Sequence, residues 1–350
     1  MNTPLFKKSN LTVALVGATG AVGQELIQLF DQFQFPIQTL IPLASKNSVG
    51  KKIRCLGKDW PVQELTHHSF SKVDLAFFSA GASRSLEFAP LAVQQGAVVI
   101  DNSSAFRMDK KVPLVVPEVN PDDIFQHQGI IANPNCSTIQ MVVALQPLHQ
   151  ESPIQEIRVA TYQAVSGTGA KAIEELLNQT QQYVEKKEVL SSVYPAQILF
   201  NAIPHVDVFL ENAYTKEEMK MVLETQKIMH APNLKISATC VRIPVLRSHS
   251  EVIWVQTEKK IGVQKAIGLW NQAPGIKIVN QPEPGGYPMP LYAQGTFETY
   301  VGRIREDLVD PKSLTFWCVA DQLLKGAAWN ALQIAGHLVG FPLSLKQKSA

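Results

Sequence analysis

The sequence lacks the features that would carry a chain out of the cell or into a membrane. Its four cysteines, Cys55, Cys136, Cys240 and Cys318, lie far apart. They make neither a CxxC pair nor the close spacing of a secreted disulfide scaffold, so a reducing, cytoplasmic setting is expected. There is no run of about 18 apolar residues, and Lys7 and Lys8 lead straight into a strand-like segment without a cleavage site. No association with a membrane is expected. The formal net charge is only +2 and the cations are dispersed, too weak a field for a nucleic-acid partner. No group of His, Cys and carboxylates has zinc spacing, so no metal is expected either. Internal repeats are absent, and the one low-complexity stretch is the polar tail 346–350, which is expected to fray.

What is present is a globular composition. Hydrophobic residues make up 45% and charged residues 18%, which excludes general disorder. A length of 350 residues suggests two domains, each with its own core, and a small-molecule substrate. Strand-like runs at 11–16, 38–43, 73–78 and 97–100 alternate with helical spacing at 22–30 and 85–94, which predicts a doubly wound parallel sheet. Past Asn133 the rhythm changes. Longer strand candidates at 157–164, 236–243, 251–257 and 296–304 suit a mixed or antiparallel sheet with helices on one side. Helices are expected at 170–184 and 216–229, the second opened by Thr215 and Glu218 in capping-box spacing, while prolines and paired glycines make 281–290 a loop. Residues 321–338 read as one amphipathic helix, with Leu324, Ala327, Ala328, Ala331, Ile334, Ala335 and Leu338 on one face, that can return to the first domain. The fold class is therefore α/β: a Rossmann-type domain over 1–133 plus 320–350, and an α+β domain with a mixed sheet over 134–319.

Two motifs carry chemistry. Gly17-Ala-Thr-Gly20-Ala-Val-Gly23 follows a strand and opens a helix. Missing side chains there let the backbone approach a pyrophosphate, whose charge the helix amides favour. A glycine triplet alone also fits a plain tight turn; its place at the start of a parallel sheet favours a dinucleotide. After the second strand, where NAD sites usually carry an acidic residue, stands Ala44-Ser-Lys-Asn-Ser48. Hydroxyls and a cation suit the extra phosphate of NADP, although a solvated polar loop would read the same way.

The second motif is Ile131-Ala-Asn-Pro-Asn-Cys136-Ser-Thr, followed by a helical apolar run over 139–148. Cys136 then falls in the first turn of a helix, where amides and dipole favour the thiolate that attacks carbonyl carbon. A single cysteine is more often buried packing, which is how Cys55, Cys240 and Cys318 read. The nucleotide domain before it and the Asn-Pro-Asn turn set Cys136 apart. A thiolate enzyme also needs a proton carrier, and His249, on a short polar link between two strand candidates, is the one placed to reach a cleft. The role of His205, in an apolar stretch, stays open.

Together these residues resemble the aspartate-semialdehyde dehydrogenase family, within the glyceraldehyde-3-phosphate dehydrogenase superfamily. The resemblance runs in order through the glycine turn, Phe78-Ser-Ala-Gly81, Asp101-Asn-Ser-Ser-Ala-Phe-Arg107, Val116-Pro-Glu-Val-Asn120, Asn133-Pro-Asn-Cys136 and Tyr162-Gln163-Ala-Val-Ser-Gly167. It continues through Glu217-Glu-Met-Lys220, Val241-Arg-Ile-Pro244, His249-Ser-Glu251 and Asp321-Gln-Leu-Leu-Lys-Gly-Ala-Ala, over most of the chain.

The resemblance implies NADPH-dependent reduction of L-aspartyl 4-phosphate to L-aspartate 4-semialdehyde, with release of phosphate, on the route to lysine, threonine, methionine and diaminopimelate. Cys136 would carry the thioacyl group and His249 act as acid and base, while Gln163 and Asn135 orient the carbonyl or stabilise its charge. Arg242 would grip the substrate carboxylate, Glu217 face its ammonium group, and Lys220 and Arg107 bind phosphate. Without the matching motifs, each of these charges would more commonly be an exposed ion-pairing residue. NADP would be held by Gly17, Thr19, Gly20, Ala21, Val22, Gly23, Ser45, Lys46, Ser48, Ser79, Gly81, Ser166, Gly167 and Asn330. The second domain would also provide the interface of a homodimer. One departure is Asn47, which stands where family members commonly have arginine; Lys46 can supply that charge. Two rivals are an N-acetylglutamyl-phosphate reductase, whose substrate has no ammonium for Glu217, and a nucleotide sensor, which has no need of Cys136 and His249.

Overall fold

A computed structural model describes residues 10–343; the tail expected to fray lies outside the described residues. Two compact units divide the chain, with cuts after Pro134 and after Gly326, so that the segment from Ala327 joins the N-terminal unit.

The first unit begins with β1 (Leu11–Val16), α1 (Ala21–Phe33), β2 (Ile37–Ala44), β3 (Lys52–Cys55), β4 (Lys58–Pro61) and β5 (Gln63–Glu64). It continues with β6 (Leu75–Phe78), α2 (Ala82–Gln94), β7 (Val98–Asp101) and β8 (Ile130–Ala132). Strand order is β5-β2-β1-β6-β7-β8, with every pair parallel. All of β1 except Thr12 is buried, as a parallel strand covered on both faces requires. The chain fills one side of β1 with β2 and then crosses to β6 on the other, which opens a switch point where β1 and β6 end. The hairpin of β3 and β4 is absent from the sequence expectations. Its two-residue turn, Leu56 and Gly57, has φ of 50° and 74°, a primed turn whose usual Asn-Gly signal is hidden by leucine.

The second unit opens with α3 (Cys136–Glu151), β9 (Ile154–Gln163), α4 (Ala170–Val184), α5 (Lys216–Ile228), β10 (Lys235–Arg242) and β11 (His249–Thr257). Then come α6 (Val263–Gln272), β12 (Ile276–Ile278), α7 (Pro290–Ala293), β13 (Thr299–Glu306) and β14 (Ser313–Ala320). The sheet is mixed, in the order β10-β9-β11-β14-β13-β12, with β10/β9 and β12/β13 parallel and the other pairs antiparallel. Its pleat sorts residues by face. Cys240, Thr161, Glu251 and Cys318 lie in register and are buried, while in the next row Thr239 is exposed and Ala160, Val252 and Trp317 are partly exposed. α3 is buried nearly all round, from Ile139 to Leu148, which makes it the unit's core helix. α5 carries the expected capping box, with both the Thr215 and Glu218 halves formed.

The stretch from 321 is corrected by the structure. Instead of one amphipathic helix, Leu324–Ala328 is a π-helical turn and the α-helix proper is α8 (Trp329–Val339). The Asp321 carboxylate accepts from the main-chain N–H groups of Leu323 and Leu324, and Gly326 N bonds Asp321 O at 3.0 Å, which widens the turn. Nor is α8 amphipathic: Trp329, Asn330, Leu332 and Ile334 are all buried, and Trp329 packs its ring on Phe33 of α1 at 4.9 Å. The expected return of this helix to the first unit is observed.

Candidate active site

In the first unit the glycine turn is shaped by close backbone approach. Gly17 has φ +86°, and a Cβ on it would meet the Ser79 carbonyl oxygen at 2.4 Å; one on Gly23 would meet the Gly17 oxygen at 2.3 Å. Thr19 and Gly20 complete the turn, and the amides of Ala21, Val22 and Gly23 open α1 without acceptors inside the helix. Gly81, at φ +85°, caps α2 after Ser79. These two loops leave adjacent parallel strands, the setting in which a pyrophosphate fits. Beyond β2, Ser45 opens a short 3-10 turn, Lys46–Ser48, in which Lys46 and Asn47 are exposed and no carboxylate stands.

Arg107 is buried in the same unit, its Nε donating to Asn133 O at 3.0 Å and its Nη2 to Asn102 O at 2.8 Å. Asn330, on α8, is also buried and donates from Nδ2 to Val115 O and to Asn133 Oδ1 at 2.7 Å. Asp101 anchors this region from beneath by accepting from Ser85 Oγ, Ser103 N and Ser103 Oγ.

In the second unit Cys136 is the first residue of α3, and Asn135 caps it by accepting from Ser137 N at 3.0 Å and Thr138 N at 3.2 Å. Cys136 alone among the four cysteines is partly exposed. Burial pushes the Cys55 thiol up to about 12 and those of Cys240 and Cys318 well above the ordinary range, so these three are protonated packing groups. Asn135 also donates from Nδ2 to Glu217 Oε1 at 2.9 Å. Gln163, at the end of β9, donates to the same oxygen at 3.2 Å and to Ser137 Oγ at 2.5 Å. The other Glu217 oxygen meets Lys220 Nζ at 3.0 Å, as the spacing of three along α5 predicts. Burial opposes the Glu217 charge, but Lys220, Asn135 and Gln163 outweigh it and hold the carboxyl below its usual range. Lys220 is raised in turn, because Glu217 and Asp207, the latter at 2.7 Å, overcome its own desolvation.

His249 is not on a polar link. It is the first residue of β11 and is 1% exposed. Its Nδ1 accepts the Ala164 main-chain N–H at 3.0 Å, so the neutral ring carries its hydrogen on Nε2. A Cβ on Gly167 would lie 3.1 Å from that Nε2 and 3.0 Å from Arg242 Nη1, so any side chain at this position would crowd both groups. Arg242 is itself buried, with Nη1 on Ala164 O at 2.6 Å. Burial, then the Arg242 charge, push His249 down to about 3, and the ring is neutral across the physiological range.

The family comparisons decide what this arrangement belongs to. Residues 12–127 match the family model described as semialdehyde dehydrogenase, NAD binding domain, and residues 145–325 that of its dimerisation domain. The curated aspartate-semialdehyde dehydrogenase of Aquifex aeolicus is 54% identical over 331 residues, covering 93% of this chain and 97% of its own. The chain belongs to the aspartate-semialdehyde dehydrogenase family. Among solved structures, aspartate semialdehyde dehydrogenase II of Vibrio cholerae superposes with a TM-score of 0.92 at 43% identity, covering 95% of this chain and 100% of that one. The same enzyme is known complexed with ASA. The Candida albicans enzyme, solved with NADP, reaches a TM-score of 0.74 at 25% identity over 94% of this chain and 98% of its own.

Within this family frame several neighbours escaped the sequence reading. Glu224 accepts the Asn135 main-chain N–H at 2.7 Å; its place seven residues after Glu217, on one face of α5, was an available signal. Asp207 pairs with Lys220 from an irregular segment that offers no such signal. Arg247 pairs through Nε with Asp321 at 2.6 Å, and His205, whose role the sequence leaves open, stacks on Phe209 at 4.4 Å. Among the described residues no group of three His, Cys, Asp or Glu side chains can hold a metal, and no helix is long and apolar enough to cross a membrane.

Proposed function

We propose that this chain is a cytoplasmic, homodimeric enzyme that reduces L-aspartyl 4-phosphate to L-aspartate 4-semialdehyde with NADPH and releases phosphate, feeding lysine, threonine, methionine and diaminopimelate synthesis. The observation that carries this reading is the single partly exposed thiol at the start of α3, next to the Asn135 cap whose side chain meets Gln163 and Lys220 on the Glu217 carboxylate. The relatives named above support it.

The α3 amides stabilise the Cys136 thiolate, which attacks the acyl phosphate carbon; the C–S bond forms as the C–O bond to phosphate breaks. Lys220 and Arg107 bind the phosphate. Arg242 takes the substrate α-carboxylate in a fork, and Glu217, kept anionic, takes the ammonium. His249 directs its Nε2–H at the carbonyl oxygen, and Gln163 holds the acyl group in line. Bound NADPH supplies the hydride. The residues that would hold this cofactor are the glycine turn, whose close backbone approach a Cβ on Gly17 or Gly23 would block, together with Ser45, Lys46, Ser48, Ser79, Gly81, Ser166, Gly167 and Asn330.

Incubating the purified protein with aspartate semialdehyde, phosphate and NADP tests the reading. NADPH absorbance should rise only when all three are present. Formation without phosphate, or none at all, overturns it.

A further inference from the structure

The residue before His249 is held in a conformation it does not favour. Ser248 is wholly buried with φ +76°, a left-handed backbone that costs a side chain about 1 kcal/mol, and its Oγ has no hydrogen-bond partner among the described residues. The hydroxyl contributes no bond to hold this geometry. The restraint comes from the segment that follows β14. Gln322, 2% exposed, accepts the Ser248 main-chain N–H on Oε1 at 2.7 Å and donates from Nε2 to Ser166 Oγ. Ser166 passes its own hydrogen to Leu246 O at 2.5 Å. Donor and acceptor senses are thereby set around a closed path: the Leu246 carbonyl can only accept, so Ser166 must donate to it and must accept from Gln322. Next door Asp321 Oδ2 accepts from Arg247 Nε and from Gly295 N, each at 2.6 Å. Every residue from Leu246 to Ser248 is thus tied to one of two adjacent side chains or to Ser166.

We propose that Gln322 is a positioning residue for His249: it clamps strained Ser248 to the Ser166-Gly167 turn and so aims the imidazole at the reacting carbonyl. The inference rests on the proposed role of His249. Released from the clamp, Ser248 relaxes toward negative φ and turns His249 out of line, while Glu217 and Arg242, on α5 and β10, are untouched. The loss should therefore fall on kcat and spare KM.

The test compares wild type with Gln322→Met, which keeps the shape but not the bonds, and with Gln322→Met/Ser248→Gly. Glycine has no penalty at positive φ, and its loss of the hydroxyl breaks no bond. Gln322→Met should lower kcat about tenfold with KM for aspartate semialdehyde changed less than about twofold, and the double variant should recover most of the loss. Hydrogen exchange at the main-chain amide of position 248, read without any substrate, should speed up in both variants. An unchanged kcat, a parallel loss in KM, or no recovery by glycine overturns the clamp. If wild type itself does not turn over, the reaction assignment falls, and the exchange measurement alone decides whether Gln322 holds Ser248.

Discussion

The difference between Cys136 and the other three thiols is one of address. Cys55, Cys240 and Cys318 sit where burial keeps them protonated, whereas Cys136 opens a capped helix and keeps partial exposure. A hydroxyl at that address stays un-ionised near neutral pH. Cys136→Ser should therefore reduce turnover by about three orders of magnitude or more while cofactor binding is retained; near-normal steady-state activity would refute the thioester. Lys46 presents a weaker case, since it is exposed and neighbours Asn47 rather than arginine. A single exposed charge-assisted bond to a 2′-phosphate is worth about 1.4 kcal/mol, or about tenfold. Lys46→Ala should cost that factor in kcat/KM with NADP and leave NAD unchanged, as parallel assays with the two cofactors would reveal; an equal loss with both would assign Lys46 to something other than the phosphate. The sequence places both residues because each stands in a local motif. It does not reveal Asp207 or Gln322, whose partners are brought to them only by tertiary folding.

Among the elements, those with strong periodicity or complete end signals were legible. The α4 expectation coincides with the observed helix, and α5 matches to within a residue because Thr215 and Glu218 mark its start. The 321–338 stretch misled because apolar spacing on one face says nothing of the other face, which is buried as well, or of the Asp321 cap that widens the first turn. β11 begins two residues before the expected 251–257, since His249 and Ser250 look like a polar link in sequence yet start a buried row. That strand also carries Glu251, wholly buried beside Gln140 of α3. Burial pushes its carboxyl well above the ordinary 4.5, against the weaker pull of the Gln140 amide. Between 4.5 and the folded value only the unfolded chain has lost this proton, so its contribution to stability diminishes as pH rises. Glu251→Gln should remove that slope, at most about 1.4 kcal/mol per pH unit. In urea unfolding the variant should gain on wild type between pH 5 and pH 8. A constant difference across that range would mean that Glu251 is charged in the fold.

At the scale of the whole molecule, the alternating first part and the longer strands after Asn133 were enough to read a parallel nucleotide sheet followed by a mixed sheet. The glycine turn and the 45–48 loop belong to the first unit, whereas Asn135, Gln163, Glu217, Lys220, Arg242 and His249 all belong to the second. Ser166 and Gly167, proposed to hold the cofactor, also belong to the second, so a residue of this cluster that bonds to neither should alter substrate use without altering the bare affinity for cofactor. Glu217 gives the sharpest case, because its carboxylate is held anionic at the centre of a buried network in which Asn135, Gln163 and Lys220 all donate to it. Glu217→Gln keeps the size and removes the charge, leaving Lys220 paired with Asp207. Loss of one charge-assisted contact to the substrate ammonium amounts to about 2–3 kcal/mol, so kcat/KM for aspartate semialdehyde should fall about 30- to 150-fold. The dissociation constant for NADP, measured by fluorescence titration without substrate, should stay within about twofold of wild type. Undiminished kcat/KM would remove Glu217 from ammonium recognition, and weakened NADP binding would extend the reach of Glu217 to the cofactor.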